Sequence, residues 1–337
     1  MIKLAVKALM LQLRIRSGVI VLSLFFIGMI SAQSSMAQDY PNKPIRWLIG
    51  FPAGGATDVL GRVLASEMGT RLGQPIVVEN KVGASGTIAV DAITKSAPDG
   101  YTLGTSGAGT STIQFLLGPK PPYAMDDLEI IGNAGVLEFI ILARKGLTYR
   151  TIAELSQAAK ASPGKITYAT AGSGTPGHLS IEYLMSMAGI QLLHVPYKGD
   201  TPALTDLSGG HVEIGILPIA AALSAIKSGL VVPIAVTSSM RSKLLPQVPT
   251  VAESGVLGYE ASSLTLLVAS RGTPKTVVDK LNAALNEALR KPSVIDRYTA
   301  LGLRAVPETP QQAADYLRRE NEKWSKVISD GKITVTP

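Results

Sequence analysis

Ile45-Arg46-Trp47-Leu48-Ile49-Gly50-Phe51-Pro52-Ala53-Gly54-Gly55-Ala56-Thr57-Asp58 is a strand that runs straight into a glycine turn and then a helix. Residues 45–51 form an apolar run of strand length, and residues 57–72 carry apolar side chains at helical spacing. Gly54 and Gly55 let the backbone approach a ligand closely. The helix that follows offers first-turn N–H groups with no partner inside the helix, which suits an anion. Thr57 and Asp58 lie in that opening turn, where Asp58 either stabilises its own helix N-terminus or contacts a ligand.

The same unit recurs along the chain. Residues 76–79, 102–105, 166–170, 192–195, 212–217 and 232–237 also read as strands, and residues 179–188, 204–207, 220–228, 275–289 and 311–329 as helices. Such alternation predicts an α/β protein with parallel sheets covered on both faces and a ligand at the carboxyl ends of the strands. On the last helix Asp315, Arg318, Arg319, Glu320, Glu322 and Lys323 read as a solvated face.

A second glycine-rich junction, Ala171-Gly172-Ser173-Gly174-Thr175-Pro176-Gly177-His178, separates the strand at 166–170 from the helix at 179–188. Gly172, Gly174 and Gly177 spell GxGxxG, but a dinucleotide fingerprint also needs an acidic residue at the end of the next strand. Here that strand ends His194-Val195-Pro196-Tyr197, with Asp200 only beyond it. A cradle for a smaller anion fits better. The hydroxyls of Ser173 and Thr175 can donate to a carboxylate, each contributing roughly 1.5–3 kcal/mol.

Lys3, Lys7, Arg14 and Arg16 precede an uncharged run at 17–32, and Ser35-Met36-Ala37 then supplies the small residues of a cleavage site. Residues 1–37 are therefore expected to be a secretory signal peptide, with the mature chain beginning near Gln38. The whole chain has 32 Lys and Arg against 25 Asp and Glu; without the four basic residues of that segment 28 remain, a net charge of +3. No concentrated basic stripe with interleaved aromatics is left to suggest nucleic acid. The chain has no cysteine, so it has neither a disulfide framework nor a lipidated anchor, and it is expected to be soluble in the periplasm. About 300 mature residues exceed what one core usually serves, so two lobes are expected.

Motifs of catalysis are missing. There is no GxSxG elbow, HExxH pair or P-loop, and His178, His194 and His211 lack metal-ligand spacing. No cofactor, no metal and no enzymatic activity are expected. A periplasmic enzyme acting on a carboxylate would have to draw on Asp58, His178 and Asp200, and the sequence couples none of these.

At these same residues the chain resembles the Bug or TctC-type substrate-binding proteins of tripartite tricarboxylate transporters. The likeness runs through Phe51-Pro52-Ala53-Gly54-Gly55 with Asp58, Gly73-Gln74-Pro75, Val78-Glu79-Asn80-Lys81, Pro98-Asp99-Gly100-Tyr101-Thr102-Leu103, His194-Val195-Pro196-Tyr197-Lys198-Gly199, Asp206-Leu207 with Gly209-Gly210, Val248-Pro249-Thr250 and Gly272-Thr273-Pro274. Leu264 stands where an aromatic is frequent in that family. The resemblance implies a type II periplasmic-binding-protein fold: two Rossmann-like lobes with a ligand cleft between them, residues 38–140 and 262–337 in the first and 141–261 in the second. It also implies that a bound carboxylate is held by main-chain amides and hydroxyls of the two glycine-rich junctions. Gly107 and Ala108, Asp200 and Thr201, and Pro218 would complete the cleft. The implied partners are a small carboxylate, be it a di- or tricarboxylate, an acidic amino acid or an aromatic acid, and the membrane components of a tripartite tricarboxylate transporter, with the receptor acting as a monomer; a sensor feeding a membrane signalling partner is the alternative.

Overall fold

A computed structural model describes residues 40–107, 109–117 and 120–331. The expected signal peptide and Ala108 lie outside the described residues. Eleven strands are found among them: β1 (Ile45–Ile49), β2 (Ile76–Asn80), β3 (Thr102–Gly107), β4 (Leu128–Leu137), β5 (Phe139–Arg144), β6 (Thr167–Thr170), β7 (Leu193–Pro196), β8 (Ile214–Pro218), β9 (Val231–Val236), β10 (Ser263–Ser270) and β11 (Leu303–Arg304). They form a six-stranded sheet in the order β11-β4-β10-β3-β1-β2 and a five-stranded sheet in the order β7-β6-β8-β5-β9. Both sheets belong to the unit Lys43–Pro337.

Each sheet has the same plan. Three parallel strands come first, β2-β1-β3 with Trp47 opposite Val78 and Leu103, and β7-β6-β8 with Ala169 opposite Val195 and Gly215. One antiparallel strand follows in each, β10 beside β3 and β5 beside β8. These two strands correct the expectation of purely parallel sheets. They follow the passages between lobes, and β4 runs into β5 with no helix between them, so strand-helix alternation gives no sign of them. The first passage lies at Glu138, so Phe139 and Ile140, grouped with the first lobe on sequence, pair in the second sheet with Pro218 and Leu217.

Local sequence accounts for the elements that position the loops. In the helix Ala56–Leu72, Leu60, Leu64, Ala65 and Met68 are buried, a stripe at helical period, and Gly73 closes it in the left-handed conformation. The helix Pro176–Ala188 starts with Thr175 as N-cap and Pro176 in its first turn. Strand β5 is apolar from Phe139 to Ala143 because its sheet is covered on both faces. Phe139, Ile141 and Ala143 enter one core cluster, and Ile140 and Leu142 enter another.

The helix Pro310–Gly331 does not stay on the first lobe. Ala313 and Leu317 pack with Leu264, Leu266 and Val268 of the first sheet, whereas Trp324 and Val327 join the core of the second lobe with Tyr168, Leu179 and Leu184. Glu320, read as solvated, is buried and accepts a hydrogen bond from Trp324 Nε1 at 2.8 Å. Among the described residues no helix is long and apolar enough to cross a membrane.

Candidate functional site

Both glycine-rich junctions follow the carboxyl end of the first parallel strand in their sheets, and both are tied down the same way. Gly54 adopts φ 81° and donates its N–H to Asp58 Oδ2 at 2.9 Å. Gly174 adopts φ 71° and donates its N–H to His178 Nδ1 at 3.1 Å. In each case a left-handed residue that favours glycine points its amide back at a side chain four positions on, in the first turn of the helix.

Asp58 is fully engaged by that task. Besides Gly54 it accepts from Arg62 Nε at 2.9 Å and from Asn80 Nδ2 at 2.8 Å, while Asn80 Nδ2 also donates to the Phe51 carbonyl at 3.0 Å. The Arg62 guanidinium above all, with the Gly54 and Asn80 donors, holds the carboxyl at about 2. Its side chain is buried and does not line a ligand cleft, so of the two readings open on sequence the structural one holds.

His178 is likewise buried behind its loop. With Nδ1 accepting from Gly174, its proton sits on Nε2, 3.4 Å from Glu182 Oε1. Glu182 Oε1 also accepts from the Tyr168 hydroxyl at 2.7 Å. The His178 ring stacks on His194 at 4.0 Å and His194 stacks on Tyr168 at 4.9 Å. Burial, then the neighbouring His178, pushes His194 down to about 4, so this stack is neutral at His194 near pH 7. Glu182 is thus the coupled partner that sequence could not name, but the imidazole has no free basic nitrogen to offer a substrate.

A cleft of about 370 Å³ lies between the two sheets' strand ends. The first lobe contributes Phe51, Thr57, Gly107 and a hydroxyl group of residues absent from the sequence reading, Thr105, Ser106 and Thr110. Ser106 Oγ and Thr110 Oγ1 are 3.0 Å apart, and Thr110 Oγ1 accepts from Gly107 N at 3.1 Å. Ala171, Ser173, Gly174, Thr175, Asp200 and Pro218 come from the second lobe, as sequence predicts, together with Pro176, Gly177 and Ile216. Leu137, Phe139 and Leu264, at the passages between lobes, add apolar lining. The stretch Thr105-Ser106-Gly107 with Gly109-Thr110-Ser111 is a third small, polar strand end. That composition was the available signal for it.

Several expected residues stand back from the cleft. Pro52, Ala53, Gly54, Gly55, Asp58, Gly172, His178 and Thr201 are not among its lining residues. Thr175 lines it, but its hydroxyl donates to the Gly172 carbonyl at 2.8 Å and accepts from His178 N, leaving no proton for a ligand. The Ser173 hydroxyl has no partner among the described residues. Among the described residues Asp200 is the one ionisable side chain on the lining, and no lysine, arginine or histidine joins it. A second cavity of about 300 Å³, which shares Leu303 with the cleft, is lined by Glu138, Arg241, Lys243, Arg290 and Arg304. No three of His, Asp and Glu gather as a metal set among the described residues.

Comparison with known proteins agrees with this geometry. The chain is 36% identical over 296 residues to Protein BugT of Bordetella pertussis, covering 87% of this chain and 91% of that protein. Among solved structures, Rpa4515 of Rhodopseudomonas palustris, determined with adipate, superposes with a TM-score of 0.74 at 30% identity, covering 88% of this chain and all of that one. MatC from the same organism, with bound malate, gives a TM-score of 0.71 at 32% identity over 86% of this chain and 100% of its own. Residues 60–333 match the family described as Tripartite tricarboxylate transporter family receptor, and the chain belongs to that family of solute-binding proteins.

Proposed function

We propose that this protein is a periplasmic receptor that captures a small carboxylate in the cleft between its lobes and delivers it to the membrane components of a tripartite tricarboxylate transporter. The observation that carries this reading is the cleft itself: neutral polar groups from the strand ends of both sheets converge on it, and among the described residues no basic side chain does. Ser173, the first-turn amides of the helix Ala56–Leu72 and Ser106, whose hydroxyl shares a network with Thr110 and Ser111, suit a carboxylate without an ion pair, whereas the Thr105 hydroxyl donates to the Leu48 carbonyl. The apolar lining from Phe51, Leu137, Phe139 and Ile216 suits the carbon skeleton between polar ends. Relatives seen with adipate and malate support the ligand class. Turnover has no support, since Asp58 and His178 are committed to their own loops and Asp200 has no coupled partner.

Thermal-shift and native mass-spectrometric screening of the mature protein against aliphatic and aromatic carboxylates tests the proposal. One or more should bind at micromolar concentration, raise the melting temperature as mass action requires, and be recovered unchanged. A converted product, or no binding across the panel, would overturn it.

A further inference from the structure

Asp200 is out of keeping with an anion receptor. It is the first residue of the helix Asp200–Gly209, it follows Gly199 at φ 116°, and it lines the cleft opposite the first-lobe hydroxyls' sheet. No hydrogen-bond or ion-pair partner for its carboxylate is found among the described residues. Lys198, two positions earlier, is exposed and does not line the cleft. A ligand that fills this volume strips water from Asp200, and a desolvated carboxylate must then be compensated by something. A purely anionic ligand cannot do so; like charges about 5 Å apart in a partly desolvated site weaken binding on the order of tenfold to a hundredfold.

We infer that the ligand carries a protonated nitrogen as well as a carboxylate, and that Asp200 is the specificity residue that receives it. This rests on the receptor reading above and adds the substrate class: an amino acid, or another zwitterion, in place of a plain di- or tricarboxylate. The division of labour follows from the lining. Neutral donors take the carboxylate, Asp200 takes the cation, and the apolar residues between them hold the skeleton. Burial pushes the Asp200 carboxyl up from its ordinary value, with no neighbouring charge to offset it.

The test is calorimetry at pH 7 with matched pairs, butyrate with γ-aminobutyrate, succinate with aspartate and glutarate with glutamate, on the mature protein and on Asp200→Asn. In at least one pair the amino member should bind ten times or more tighter than its parent acid, and Asp200→Asn should reduce that advantage below threefold while leaving the melting temperature of the ligand-free protein within a few degrees. Parent acids that bind as well as their amino analogues would overturn the inference and leave the carboxylate receptor standing. An amino preference that persists in Asp200→Asn would move the cation to another group and overturn the assignment of Asp200. Failure of every compound to bind either protein would remove the receptor reading and the inference together.

Discussion

Asp58 and His178 occupy equivalent places in the two lobes and do equivalent work with different chemistry. A carboxylate that accepts from three donors and an imidazole that accepts from one both hold a glycine amide of their own loop. For Asp58 the consequence can be measured. Its carboxyl is lowered from 3.8 to about 2, and its side chain is buried, so the ionised form contributes about 2 kcal/mol to stability. A depressed carboxyl contributes fully above its unfolded value and loses that contribution as pH falls through the folded one. Asp58→Asn should therefore cost about 2 kcal/mol in urea unfolding at pH 7, and the gap to the parent protein should close between pH 4 and pH 2. A gap that stays constant over that window would show the loss to be one of packing rather than charge. Sequence placed Asp58 in the first helical turn but could not decide its role, because the partners that settle it, Arg62 and Asn80, lie one turn on and one strand away.

At the level of elements, the strand-glycine-helix junction was the most legible feature of the chain, because a short apolar run, paired glycines and a helical stripe fall within one window. The antiparallel strands β5 and β10 were not legible. Their pairing depends on residues more than seventy positions away, such as Ile140 opposite Leu217 and Leu267 opposite Thr105, and nothing local marks which sheet they enter. Strand β4 contains Gly132, Asn133 and Gly135, residues uncommon inside strands; Asn282 and Leu285 pack where a Cβ at Gly132 would go, and Leu60 and Tyr298 where one at Gly135 would go. Within the second junction three successive positions separate by role. Ser173→Ala should weaken ligand binding by roughly tenfold to a hundredfold in calorimetry, the size of a hydrogen bond to a charged acceptor. Thr175→Val removes the N-cap and should lower stability by about 1 kcal/mol. Gly174→Ala must hold φ 71°, which costs about 1–2 kcal/mol and loosens the His178 bond. Equal affinity for Ser173→Ala and the parent protein would take the ligand's carboxylate away from this loop.

For the whole molecule, a receptor's output is a change of shape, and this fold has three connections through which that change must pass. The chain crosses at Glu138, whose N–H donates to the Gly302 carbonyl at 3.2 Å and whose carbonyl accepts from Ile219 N at 3.1 Å. It crosses again before β10, where Ala261 N donates to the Thr237 carbonyl at 2.9 Å. The helix Pro310–Gly331 is the third, with Leu317 in one lobe's core and Trp324 in the other's. A ligand held by Ser173 on one side and by the Ser106 hydroxyl on the other favours the form in which both reach it, so binding should close the lobes. Solution scattering should show a smaller radius of gyration with ligand than without. Trp324 is 2% exposed, and Tyr183 packs edge-on against it at 6.1 Å. Trp324→Ala should cost about 3 kcal/mol or more and release the end of the helix from the second lobe. The ligand-free protein should then expand, and the compaction on binding should grow. If the variant's ligand-free radius matched the parent's, the helix would be a passenger on one lobe, and the hinge would reside in the two strand crossings alone. If ligand bound the parent protein with no compaction at all, the two junctions would not be opposite walls of one closing cleft, and the transporter would have to recognise something other than lobe closure.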